Sequence, residues 1–297
     1  MHHPDLSIIV VNFNAGACLD RCLQSIEEHA GATDWRAVVV DNGSRDGSER
    51  AAEGRDPRVT LVGNTENVGF ARAVNQGAAL TAGGFLLLLN PDGCLLPGAV
   101  DAMRAVMAAH PDCAVVGPTV RDEDGREQGS ARGDPDMMTG LFGRSTWLAR
   151  RFPSLAVARR NVVAGGHAGV GDPGVEVDWV SGSCMLIRRA AFDAVGGFDE
   201  RYFLFWEDAD LCRRCRAAGW RVRYVPGASV AHTVGQSSRT APSLSIRAFH
   251  RSAYLYYRTH SAPSPWNPLR WLAYLLLAAR CGLRLGEAAV RGRLRRG

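Results

Sequence analysis

Between residues 5 and 119 the chain alternates short runs of β-branched and long aliphatic residues with stretches whose apolar residues recur every three or four positions. No other feature constrains the fold as strongly. Strand–helix–strand repetition builds a mostly parallel sheet with helices on both faces, the α/β class. The strand candidates are Leu6–Val11, Ala37–Val40, Val59–Val62, Phe85–Leu89 and Ala114–Val116. Between them, Cys18, Leu19, Cys22, Leu23 and Ile26 form one helical stripe, and Phe70, Val74 and Ala78 form another. In open α/β sheets ligands bind outside the carboxyl ends of the strands. The residues that follow each strand are therefore the first candidates for chemistry.

Residues 120–176 are rich in Gly, Asp and Arg with weak periodicity, and read as long loops with short elements. A second ordered block follows. It holds a strand over Trp179–Ile187, a turn at Gly196-Gly197, an aromatic stretch Tyr202–Trp206, a helix Asp208–Ala218 and a strand ending at Val225. With 46% hydrophobic and 22% charged residues, the chain is globular rather than disordered. All its basic side chains other than histidine are arginine, which excludes any mechanism that needs a Schiff-base or phosphate-binding lysine.

Charge is unevenly placed. Residues 247–297 carry ten arginines against the single acid Glu287, whereas the rest of the chain has a small excess of acids. Such a tail points to an anionic surface, membrane or nucleic acid. The tail shows no nucleic-acid motif and the body is acidic, which argues against nucleic acid. The longest clean apolar run, Trp271–Ala279, is too short to span a bilayer. Two readings of it stay open. One is an interfacial helix with Trp271, Leu272, Leu275 and Leu276 toward lipid and Arg280 and Arg284 at headgroups. The other is a helix packed on the body. The N-terminus shows no signal-peptide pattern, and the eight cysteines form no disulfide framework. Both suit a cytoplasmic protein, peripheral on the inner face of the plasma membrane. Cys212-x-x-Cys215 lacks a partner pair at zinc spacing and reads as core.

Three strand-end clusters stand out. After the first strand comes Asn12-Phe13-Asn14, and after the second Asp41-Asn42-Gly43-Ser44. Asp-Asn-Gly is a turn signal; the same carboxylate can accept the imide N–H of a uracil or thymine, with Phe13 packing on the base. After the fourth strand, Asn90-Pro91-Asp92-Gly93 is either a simple turn or a fixed carboxylate for a hard divalent cation that completes its shell with phosphates and water. The third cluster sets Glu207, Asp208 and Asp210 behind the aromatic residues 203–206. Acids in a first helical turn favour the macrodipole, yet three together beside apolar rings raise one another's pKa, which suits a general base. His232 can complete a metal site.

In order and spacing, these stretches resemble the family-two glycosyltransferases, and more closely their bacterial rhamnosyltransferase branch. The matching stretches are Ser7–Asn14, Val40–Ser44, Asn67–Gly77, Leu89–Asp92, Gly197–Glu200, Trp206–Leu211 and His232–Ser237. The resemblance implies a GT-A fold with a Rossmann-like sheet. The catalytic domain would span 1–238, with a nucleotide-sugar half to about residue 119 and an acceptor half from about 120, followed by a basic, amphipathic helical extension over 239–297. It implies Asp208 as catalytic base beside Glu207. Asn12, Phe13, Asp41, Gly69, Arg72, Asn75, Asn90 and Asp92 would bind the nucleotide sugar. Asp92 and His232 would hold Mg²⁺ or Mn²⁺, and Trp179, Phe205 and Trp206 would wall the acceptor. Two departures are visible: Asn90 replaces the first carboxylate of the DxD-type motif, and Trp206 replaces a usual phenylalanine. The implied reaction is an inverting transfer from dTDP-L-rhamnose, or from a UDP-hexose, to a lipid-linked or cell-envelope glycan. A non-catalytic sugar-nucleotide-binding protein is the reading from a different class, and a homodimer stays open.

Overall fold

The structure, a computed structural model, describes residues 5–31, 34–129, 131–135, 174–232 and 241–294. The strands are β1 (Leu6–Asn12), β2 (Trp35–Asp41), β3 (Val59–Gly63), β4 (Phe85–Leu89), β5 (Gly93–Leu95), β6 (Cys113–Arg121), β7 (Ala131–Arg132), β8 (Val175–Glu176), β9 (Trp179–Val180), β10 (Cys184–Arg188) and β11 (Arg221–His232). The helices are α1 (Cys18–His29), α2 (Phe70–Ala79), α3 (Ala99–Ala109), α4 (Arg189–Ala194), α5 (Glu207–Ala217), α6 (Pro242–His260) and α7 (Pro268–Leu294).

The main sheet runs β3-β2-β1-β4-β10-β6-β11-β5, with β8 paired to β11, and β7 and β9 form a separate ribbon. Strands β1 to β4 are parallel, as their crossovers require. β10 then enters antiparallel between β4 and β6, so the sheet is mixed. Successive strand residues face opposite sides. Leu6, Ile8, Val10, Leu87 and Leu89 join the core under α1 and α3, whereas Ile9, Val11, Leu86 and Leu88 join the core under α2 and α5. Each fully buried side chain of this kind stabilises by roughly 1.5–3 kcal/mol. Helix α2 lies close on the sheet at Gly77, where a Cβ would stand 2.9 Å from the Ile9 side chain.

Several elements differ from the sequence expectation for local reasons. The expected strand Trp179–Ile187 is split into β9 and β10, because the Gly182 N–H between them turns to the Asp208 carboxylate. Gly93–Leu95, part of a turn signal in isolation, is a strand because Val230–His232 pairs with it. The last strand does not end at Val225. It breaks register between Val225 and Ser229 and resumes, which carries His232 to the edge of the sheet. Pro226 lies inside the break, where a residue without an N–H does least harm. Part of the expected loop region is ordered, as the end of β6, β7 and β8; residues 136–173 fall outside the described residues.

The helices beyond residue 238 pack on the region before it. Leu255 and Tyr256 of α6 are buried with Tyr202 and with Ala209 of α5. Helix α7 in turn packs on α6 through Tyr274 against Tyr254, with Ala273 and Leu277 buried.

Candidate active site

The ends of β1 and β2 lie side by side, with Asn12 opposite Asp41. The Asn12 amide donates to Asp41 Oδ1 (2.7 Å), Ser44 Oγ (3.2 Å) and Ser48 Oγ (2.9 Å). Asp41 Oδ2 accepts the Ser44 N–H at 3.0 Å. Asp41 is thus a buried knot that shapes the following loop. Asp46 ties that loop back to the β1 end, accepting the N–H groups of Gly16 and Ser48. Burial alone would raise the Asp46 carboxyl, but these bonds and the Ser48 hydroxyl outweigh it and hold it below the ordinary range. Above the knot opens a cleft of about 340 Å³ lined by Phe13, Asn14, Gly43, Arg45, Thr65, Glu66 and Asn67. An aromatic ring, amides and an arginine in one cleft suit a base, a ribose and a phosphate.

Gly69 has φ +91°, and a Cβ there would strike the Phe203 carbonyl at 2.7 Å, so α2 can begin under Phe203 only with glycine. Asn75 is engaged elsewhere than the cleft. Its amide clips the Phe198 backbone from both sides, at 2.9 and 3.0 Å, and reaches Glu200 at 3.1 Å. Arg72 is exposed, 3.9 Å from Glu200. The Asn90 N–H donates to the Ser183 carbonyl, locking the turn that carries Asp92.

Asp92 and His232 meet at the next strand ends. His232 Nε2 stands 3.1 Å from Asp92 Oδ1, with the side chains 11% and 6% exposed. Gln128 donates its amide N–H to the His232 carbonyl at 3.1 Å and so presents Oε1 to Nδ1 at 3.2 Å. That arrangement places the ring proton on Nδ1. Nε2 faces the Asp92 carboxylate without an aligned hydrogen bond. In the neutral ring Nε2 keeps a lone pair, and with Asp92 Oδ1 it can act as a metal ligand. One imidazole nitrogen and one carboxylate oxygen suit a divalent metal that keeps positions for phosphate and water. Among the described residues no set of three or more His, Cys, Asp or Glu side chains is placed to hold one unaided.

The third cluster sits at the start of α5. Phe205 and Trp206 have φ of +67° and +71°, the left-handed region, side by side. For bulky residues this costs on the order of 1–3 kcal/mol each and persists only where the surroundings enforce it. The turn delivers Glu207 and Asp208 into the first turn of α5. Asp208 is half-buried. Its Oδ2 accepts the Gly182 N–H (2.9 Å) and its Oδ1 the Ala209 N–H (2.8 Å). Desolvation raises the Asp208 pKa, opposed by these two bonds and by the nearby Arg132 guanidinium. Glu207 is buried, its Oε2 has no hydrogen-bond partner, and desolvation followed by the Asp208 charge pushes its pKa well up. Asp210 plays another part, bonding Arg214 and His260, each at 2.7 Å. The arrangement is an oriented, desolvated carboxylate that can take a proton.

Trp179 and Trp206 pack against the same small cluster. Phe205 adjoins through Phe249. Arg132, whose guanidinium lies 4.9 Å from the Trp179 ring centroid, and Gln128 were not singled out from sequence; both sit in the aperiodic stretch after β6. The stretch after His232 that completes the last matching motif lies outside the described residues. Cys212 and Cys215 are core residues whose thiols burial pushes up, Cys215 to about 11.

Comparison with known proteins accords with this geometry. The chain is 34% identical to the N-acetylglucosaminyl-diphospho-decaprenol L-rhamnosyltransferase of Mycobacterium tuberculosis, over 98% of this chain and 96% of that protein. Among solved structures it is similar in fold to the mannosyltransferase PcManGT from Pyrobaculum calidifontis, in complex with GDP-Man and Mn²⁺. That match has a TM-score of 0.57 and 18% identity, over 98% of this chain and 76% of that one. It is also similar to GalNAc-T7 with UDP, GalNAc and Mn²⁺ (TM-score 0.60, 16% identity), covering 91% of this chain but only 53% of that one. The family model described as glycosyl transferase family 2 matches residues 7–196, so this chain belongs to that family and is a glycosyltransferase of GT-A fold.

Proposed function

We propose that this glycosyltransferase moves L-rhamnose from dTDP-L-rhamnose to a hydroxyl of a lipid-linked glycan, with inversion at the anomeric carbon. The observation that carries the reading is the oriented, desolvated Asp208 on the same sheet edge as a nucleoside-sized cleft. The similarity to a rhamnosyltransferase over nearly the full length of both chains supports the choice of sugar and of a polyprenyl-diphosphate acceptor.

In this reading Phe13 packs on the base, and Asp41 fixes the loop above it while keeping lone pairs for the base imide. Trp179, Phe205 and Trp206 wall the acceptor sugar. Asp208 takes the acceptor hydroxyl proton as that oxygen attacks the anomeric carbon. The bond from that carbon to the diphosphate oxygen breaks, and the nucleoside diphosphate leaves with the electron pair. Asp92 and His232 would hold Mg²⁺ or Mn²⁺, which when bound neutralises charge on the leaving diphosphate. Two glycosyltransferases of similar fold were solved with Mn²⁺, in keeping with this.

Among the described residues no helix is long and apolar enough to cross a membrane. The outer face of α7 nevertheless exposes Leu269, Trp271, Leu272, Leu275 and Leu276, with Arg280 and Arg284 half-covered on the side toward α6. We read it as an interfacial helix that holds the enzyme at an anionic membrane surface, where a lipid-linked acceptor resides.

The deciding experiment offers dTDP-rhamnose and UDP-hexoses with a polyprenyl-diphosphate-N-acetylglucosamine acceptor, read by mass spectrometry. The expected product gains one deoxyhexose. Transfer from UDP-hexoses alone would replace the donor assignment. In the same assay Asp208→Asn should lose ~10²–10⁴-fold in turnover, with donor binding retained in calorimetry. Wild-type turnover by that variant would remove Asp208 as the base.

A further inference from the structure

We infer that α6 clamps the catalytic turn, and that Ser252 and His260 on it are positioning residues for sugar transfer. The two left-handed residues Phe205 and Trp206 do not hold themselves in place. Within the catalytic region the main restraint before them is the Phe70 N–H on the Phe203 carbonyl, 2.7 Å. The bonds from Gly182 and Ala209 orient the Asp208 carboxylate but do not hold the turn.

The Asp210 N–H adds a bond to the Trp206 carbonyl at 2.9 Å from α5; the restraints that α6 supplies bracket the turn. Before it, Ser252 Oγ donates to the Leu204 carbonyl at 2.9 Å. At it, the Phe249 ring centroid lies 5.9 Å from those of Phe205 and Trp206, and Tyr256 lies 5.4 Å from Trp206. After it, His260 Nε2 meets Asp210 Oδ1 at 2.7 Å, and Arg213 reaches the His260 carbonyl at 3.2 Å and the Tyr256 hydroxyl at 3.3 Å. Positions 249, 252, 256 and 260 recur every three or four residues, so they share one helical face. All of them lie beyond the part of the chain that the family model matches, 7–196. A carboxylate displaced by about 1 Å from an attacking hydroxyl can lose up to ~10²-fold in rate. A loosened clamp therefore acts on the chemical step and leaves the nucleotide cleft, built from other elements, intact.

The inference rests on Asp208 as the base, which Asp208→Asn tests separately. Its own test uses the full chain, with steady-state transfer kinetics and thermal melting of Ser252→Ala and His260→Ala. Each should lower kcat by about 10-fold with donor KM and melting temperature near wild type. Ser252→Thr keeps the hydroxyl and His260→Gln keeps a donor toward Asp210, so both should restore most of kcat. Unchanged kcat in the alanine variants overturns the clamp. So does a fall in kcat that tracks a lower melting temperature and is not restored by threonine or glutamine. Ser252→Ala removes one hydroxyl only, so the test survives if His260→Ala does not fold. Full turnover by Asp208→Asn would reject the base while leaving the clamp readable from kcat of the Ser252 series.

Discussion

At the scale of single residues, the site depends on how far each carboxylate is removed from water. Glu207 shows the cost most directly. It is buried, one oxygen lacks a partner, and its pKa is pushed well up by burial and by Asp208. A carboxyl whose folded pKa lies above its unfolded value near ~4.3 makes the fold lose stability as pH rises from the unfolded value toward the folded one. Glu207→Gln should therefore raise the melting temperature at neutral pH. The gain should shrink to nothing below about pH 4, where both states are protonated. A variant that melts lower at pH 7 than the wild type would contradict this. The carboxylates were legible in the sequence because three acids behind aromatic residues exceed what a helix start needs. The division among them was not. Asp210 turns to Arg214 and His260, and the second of these partners is 50 residues away along the chain.

Among elements, the decisive meeting is between the β4–β5 turn and the end of β11, which set Asp92 against His232. Neither side chain alone marks a metal; under the proposed function the imidazole nitrogen and the carboxylate, 3.1 Å apart, would hold one together. Asp92→Ala is expected to abolish most of the Mg²⁺- or Mn²⁺-dependent part of nucleoside-diphosphate binding in calorimetry. Equal binding with and without chelator, in both wild type and variant, would remove the pair from the site. The strand–helix alternation announced β1 to β4 and the helices between them. It could not announce the antiparallel entry of β10, nor the continuation of β11 past Pro226. Both depend on which strands become neighbours, a long-range choice that local periodicity does not carry. The Asn75 amide illustrates the same limit: its motif matched, and its partners lie across the fold at Phe198 and Glu200.

For the whole molecule, an acidic catalytic body is joined to an arginine-rich helical end whose apolar side faces outward. Two attractions should then add on an anionic vesicle, one screened by salt and one not. Co-sedimentation with phosphatidylglycerol vesicles should weaken as salt rises from low to molar, the Debye length falling from ~10 Å at 0.1 M to ~3 Å at 1 M. A remainder should persist at high salt and be lost in the Leu272→Glu/Leu275→Glu double variant. Salt-independent binding, or a double variant that binds like wild type, would count against an interfacial α7. The order in which the chain emerges from the ribosome gives the contact between α6 and the catalytic turn another meaning. Leu204 and Asp210 wait for partners 48 and 50 residues further on. At ~5–20 residues per second, that wait is several seconds. Throughout it the sheet and the cleft beside Phe13 can already be forming, while the turn before Asp208 lacks its contacts to α6. On the proposed reading, the full rate of transfer would then arrive only with one of the last helices made.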